Sequence, residues 1–145
     1  MGNTLYEQDF HAWTLQQAEL LRARKLDCAD LDNIAEEIES MGRSVKRELT
    51  SRLTVLLLHL LKWRFQPLFR GNSWRLTVKG QRLSLRHHLR DNPSLKSYLD
   101  QAMMDAHERA RIEAERETGL AAETFPEICP FTFDQAISDD FWPGD

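Results

Sequence analysis

Glu36, Glu37 and His59 are the residue types that hold a divalent metal or pass a proton, since carboxylate oxygens and an imidazole nitrogen serve as both ligands and bases. With Lys62 close behind His59, a hydrolase or metal-dependent enzyme would need Glu37, His59 and Lys62 to converge on a hollow that solvent reaches. Spacing argues against it. If Gly42 makes a tight hairpin, Glu37 lies about 7 Å from the turn and His59 about 25 Å, at roughly 1.5 Å per residue. Only a second subunit or a third helix closes that gap. The preferred reading is structural: the glutamates pair with basic residues, and neither a metal site nor a cofactor is expected.

His59 itself interrupts the run "LTVLLLHLLKWRF". A buried imidazole needs partners for its nitrogens. Folding back through the following loop places Thr77 and Gln81 within reach, and these, or a carboxylate, are the expected partners of a packed core histidine.

A second chemistry lies in "HLLKWRFQPLFRGNSWR", residues 59–75, where Lys62, Arg64, Arg70 and Arg75 interleave with Trp63, Phe65, Phe69 and Trp74; Arg82 follows. Cations for phosphates and flat rings for bases are what single-stranded nucleic-acid binding uses. Against it stands the charge map. Residues 1–45 sum to −5, 46–99 to +10 and 100–145 to −9, a total of −4. Folding can therefore neutralise the basic segment with the chain's own acids, and the overall excess of positive charge usual in nucleic-acid binders is missing. Arg82 and His87 also have the spacing of an arginine–histidine nuclease pair, a pattern short enough to arise by chance. No serine or cysteine sits in a nucleophile elbow, and no glycine-rich phosphate loop is present.

The elements that position these groups read as helices. A chain of 145 residues is the size of one domain, and a hydrophobic fraction of 41% with 29% charged residues is that of a soluble globular protein. Six glycines and five prolines favour long helices over many turns. The N-terminus has no secretory pattern and the longest apolar run is too short for a bilayer span, so a cytoplasmic location without membrane attachment is expected. Cys28 and Cys129 are far apart, without partners at metal spacing.

Thr4 and Glu7 have capping-box spacing for a first helix running to about Arg24. Asp27 or Asp30 caps a second, with Leu31, Ile34, Ala35, Ile38 and Met41 on one stripe, and Gly42 ends or kinks it. Ser44 caps a third, where Leu49, Leu53, Leu56, Leu57, Leu60 and Leu61 share a face. "SWRLTVKGQRLSLR" reads either as a β-hairpin or as a helix capped by Ser73. Asn92 and Pro93 start a further helix that Gly119 closes, with Leu120 placed for a Schellman contact. On its outer face Arg109 with Glu113 and Arg111 with Glu115 are one turn apart. The tail is too aromatic for a disordered end; Thr132 and Gln135 cap a short helix in it, and it is expected to pack back into a groove.

The motifs "YEQDFHAW", "LDNIAEEIESMGRS", "LTVLLLHLLKWRFQP", "SWRLTVKGQR", "NPSL", "ETGL" and "FPEICPF" occur in an order that resembles a bacterial all-helical family known only as a domain of unknown function, the twenty-ninth so named. The resemblance runs from about residue 6 to 143. It implies an all-α fold, hence the helical reading of "SWRLTV", and no established activity. It is carried by Asp9, Trp13, Glu36, Glu37, His59, Lys62, Trp63, Ser73, Trp74 and Arg82, with departures at Gly80 and His87-His88. The reading is a single all-α bundle of about five helices with an aromatic tail packed across it. It is expected to be a small cytoplasmic bacterial interaction module, binding a protein partner or itself as a homodimer, without catalysis. Nucleic-acid binding through residues 59–75 is the alternative.

Overall fold

The computed structural model describes residues 4–144; the first three residues of the N-terminal segment read above lie outside them. Among the described residues there are six α-helices and no strand, so the chain is all-α. It divides into two compact units, Met1–Val45 and Lys46–Asp145.

In the first unit, α1 (Leu5–Gln8) and α2 (Phe10–Arg22) replace the single helix expected from Thr4. Asp9 separates them: its backbone leaves the helical region, and its carboxylate accepts from the Ala12 amide to cap α2. A short acidic side chain satisfies orphan amides better at a cap than in a helix interior. The rings of Tyr6, Phe10 and Trp13 gather into one cluster, with Tyr6 4.7 Å from Trp13. α2 closes with Arg24 in the left-handed region at φ 60°. Asp30 then accepts from the side chain of Asn33, from the Trp13 indole and from the Asn33 backbone, which against partial burial hold its carboxyl below the usual range.

α3 (Leu31–Phe65) corrects the reading of Gly42: one helix of 35 residues passes through it without a break, and Ser44 caps nothing. A glycine costs about 1 kcal/mol in a helix interior. Leucines, glutamates and arginines around it outweigh that, and Gly42 does not adopt the left-handed conformation that ends a helix.

In the second unit, Leu49, Leu53, Leu56, Leu57, Leu60 and Leu61 of α3 are fully buried, as their spacing predicts. Each contributes roughly 1.5–3 kcal/mol of burial. Across from them lies α4 (Asn72–Asp91), which settles the ambiguous segment as helix, with Val78, Arg82, Leu85 and Leu89 turned inward. Gly71, rather than Ser73, stands at its N-cap. A hydrogen bond from Arg52 to Gln81 and a contact of His88 with Glu48 fix α4 against α3. Asn92 returns its amide to the His88 carbonyl and so finishes α4; a 3-10 turn at Pro93–Tyr98 precedes α5 (Leu99–Thr118).

Ala102, Ala106, Ala110 and Ala114 are fully buried, and their small side chains let α5 approach the core closely. Gly119 ends it at φ 72°, although the Leu120 amide turns to the Thr118 hydroxyl instead of completing a Schellman pair. The tail docks as expected: Phe125, Phe131 and Ala136 are buried, and α6 (Phe133–Ile137) carries the complete Thr132–Gln135 capping box.

Candidate functional site

α3 projects His59, Lys62 and Trp63 within little more than one turn. The Nδ1–H of His59 donates to the Val55 carbonyl at 2.8 Å, an acceptor on its own helix in place of Thr77 or Gln81. Thr77 is occupied with the Ser73 carbonyl and Gln81 with Arg52. That bond fixes the proton on Nδ1 and leaves Nε2 as a bare lone pair. Burial lowers the imidazole pKa and the nearby Lys62 ammonium lowers it further, against the opposing pull of the Val55 bond and Glu117. His59 is thus a neutral, half-buried base.

Lys62 is 7% exposed; its ammonium is 2.6 Å from a Glu117 oxygen and 5.0 Å from the centre of the Trp74 ring. A lysine so paired has its side chain fixed by its neighbours. Glu37 lies in the first unit, where it accepts from the Tyr6 hydroxyl at 3.0 Å, and Glu36 pairs with Arg43 at 2.9 Å. The hairpin considered at Gly42 does not form, because α3 continues through it. Among the described residues no group of three or more His, Cys, Asp or Glu side chains is placed to hold a metal ion.

The basic aromatic segment is largely occupied with the tail. Arg70 donates to the Trp63 carbonyl at 2.6 Å and reaches the Pro143 carbonyl at 3.5 Å. Trp63 meets Trp142 at 4.6 Å between ring centres. Arg82, fully buried, donates to the carbonyls of Ala136 and Phe141, both at 2.7 Å. Arg86 adds Ile137 and Asp139. Charge segregation suggested carboxylates as the partners of these cations; many of the acceptors are backbone carbonyls instead. Arg64 and Arg75 stay exposed, and Arg75 with Lys79, Trp63 and Trp142 lines a shallow hollow of about 480 Å³.

A larger concavity, about 780 Å³, lies between α5 and the segment leading into α6. Its floor holds Met103, His107 and Phe131, which are buried, while Met104 is 66% exposed and Ile128 84% exposed on its walls. Asp100, Asp105, Glu108, Glu115 and Glu127 surround it. Its one arginine, Arg111, turns away from the expected Glu115 and donates to the Phe125 and Ala122 carbonyls. His107 donates from Nε2 to the Pro126 carbonyl at 2.9 Å, and its buried Nδ1 has no hydrogen-bond partner among the described residues. Burial raises the pKa of the Cys129 thiol at the same groove.

The sequence reading missed this groove. Its signal was present in Met104, Ile112 and Ile128, apolar residues lying off the buried stripe of α5 or in the tail loop.

The family model described as Domain of unknown function DUF29 matches residues 5–142. The chain belongs to DUF29. No curated protein and no solved structure matches it. Of the residues on which the family resemblance was read, Trp13 sits in the first unit's ring cluster, Lys62 pairs with Glu117 and lies over the Trp74 ring, and Trp63 and Arg82 meet the tail. None of them lines the α5 groove of this DUF29 chain.

Proposed function

We propose that this chain is an interaction module whose α5 groove receives a helical segment of another protein, one with an apolar stripe flanked by lysines or arginines. The observation that carries this reading is the combination of exposed Met104, Ile112 and Ile128 with five surrounding carboxylates and an arginine already committed to carbonyls. Large apolar side chains left in a concave surface mark sites of association. Methionines adapt their shape to a docked helix, and acidic rims select basic partners by steering and by repulsion of acidic ones.

The test is a fluorescence-polarisation titration of the protein into a labelled amphipathic peptide of leucine and lysine, beside the same peptide with glutamate for lysine. Saturable binding of the lysine peptide alone, lost in Met104→Asp with Ile128→Asp while the helical circular dichroism is unchanged, is the expected result. Equal binding of both peptides, or none, overturns the reading.

A second reading rests on the hollow where Trp63 and Trp142 meet exposed Arg75 and Lys79. Rings beside cations suit single-stranded nucleic acid. Salt-sensitive quenching of tryptophan fluorescence by single-stranded RNA, reduced in Arg75→Ala with Lys79→Ala, supports it; unquenched fluorescence at low salt excludes it.

A further inference from the structure

Two helical faces in this chain are apolar, solvent-exposed and opposite in charge. On the first half of α3, Leu31, Ile38 and Met41 follow one stripe, with Ile38 59% and Met41 62% exposed, and Asp32 and Glu39 run along its edge. This is the stripe the sequence offers as a buried face, and in the single chain it faces water. On α4, Leu76 and Leu83 lie on the side opposite Val78 and Leu85, each half exposed, with Arg75, Lys79 and Arg90 along their edge.

Each stripe also carries a glycine in a helix interior, Gly42 and Gly80. Nothing among the described residues calls for either one. Neither takes a positive φ, and a Cβ at either position would meet no atom within 4 Å. Such a glycine gives up about 1 kcal/mol of helix stability relative to alanine. A helix surface without a side chain at its centre does one useful thing, which is to let a second helix backbone come close.

We infer that the acidic Leu31–Met41 stripe of one copy packs on the basic Leu76–Leu83 stripe of a second copy, crossing at Gly42 and Gly80. Charge complementarity selects the occupant: the first unit carries −5, and the edge of α4 is basic, so each face repels a copy of itself and attracts the other. The α5 groove takes no part, so failure of the peptide-binding reading leaves this one standing, and the reverse.

Light scattering on the eluting protein, from low to high micromolar concentration, tests it through Gly42→Leu and Gly80→Leu. Leucine is a good helix former and finds open space at both positions, so each variant keeps its fold and its unfolding midpoint does not fall. The wild type is expected at twice the chain mass or more, shifting towards one chain mass as salt rises. Each variant alone is expected at one chain mass. A mixture of the two variants is expected to recover association, because the stripe of Gly80→Leu and the α4 face of Gly42→Leu are both intact. A wild type at one chain mass throughout overturns the inference. So does a dimer retained in Gly80→Leu, which would mean stripe against stripe, or in Gly42→Leu, which would mean α4 against α4.

Discussion

The Arg82 guanidinium lies 5.1 Å from the centre of the Trp142 ring while its Nε and Nη2 hold the carbonyls of Ala136 and Phe141. A fully buried arginine on α4 thereby fastens two points of the C-terminal tail. Its remaining Nη1 has no hydrogen-bond acceptor among the described residues, and the electron-rich face of the indole is the group that accommodates the charge. Arginine suits the position because its donors form a rigid planar fork and its charge survives burial.

Replacing Arg82 with methionine leaves two tail carbonyls short of a charged donor. The expected loss is about 3 kcal/mol of stability. Arg82→Lys recovers only a part, since one ammonium cannot reproduce the fork. Urea unfolding measures the loss, and chymotrypsin cleavage after Phe141, faster in both variants, reports release of the tail. Unchanged cleavage would show that the tail is held by its rings alone.

For the Lys62–Glu117 pair the two truncations should be unequal. Glu117→Gln leaves an ammonium that is 7% exposed without its anion, whereas Lys62→Met leaves a carboxylate that is 42% exposed and able to turn to water. An uncompensated buried charge is the costlier outcome, here by about 1 kcal/mol after allowing for the half-open side of the pair. Urea midpoints of both single variants and the double variant separate the terms. A larger loss in Lys62→Met would locate the stabilisation in the contact of Lys62 with Trp74.

His59 gives the second unit a pH dependence of definite sign. Burial, aided by Lys62, holds its folded pKa below the ordinary 6.5. On acidification the unfolded chain therefore takes up this proton first, so stability declines as pH falls from about 6.5 to the depressed folded value and levels off beneath it. In His59→Asn, whose amide can still donate to Val55, that slope is absent. Urea midpoints between pH 8 and pH 5 should show wild type and variant parallel above pH 7 and converging below 6.5; curves parallel throughout would place the imidazole in water.

Gly42→Ala should raise the unfolding midpoint by the equivalent of about 0.5–1 kcal/mol. The position is exposed and helical, and the added methyl meets nothing. Thermal unfolding at low protein concentration isolates this effect from any association. A lower midpoint would mean that α3 bends at this glycine in solution.

Local spacing alone was sufficient for the leucine face of α3 and the capping box of α6, because each depends on residues within a few turns of one another. The family resemblance added the helical reading of α4, which the residues by themselves left open. Asp9 and Gly42 were misread in opposite directions for one reason: whether a polar cap or a glycine ends a helix depends on the sum of its neighbours' preferences, not on the residue alone.

What the sequence determined is therefore the class of the fold, its family and the leucine face of α3 in the second unit, all written in local patterns. Tertiary structure decided what the charged residues do. Composition showed +10 between two acidic segments and suggested salt bridges, yet Arg70 and Arg82 of the basic segment, and Arg111 beyond it, donate to backbone carbonyls of the chain. A carbonyl has no letter of its own in a sequence, since every residue carries one. Which carbonyls lie bare beside a buried arginine is settled only when the tail is laid across the helices, and that same docking opens the α5 groove.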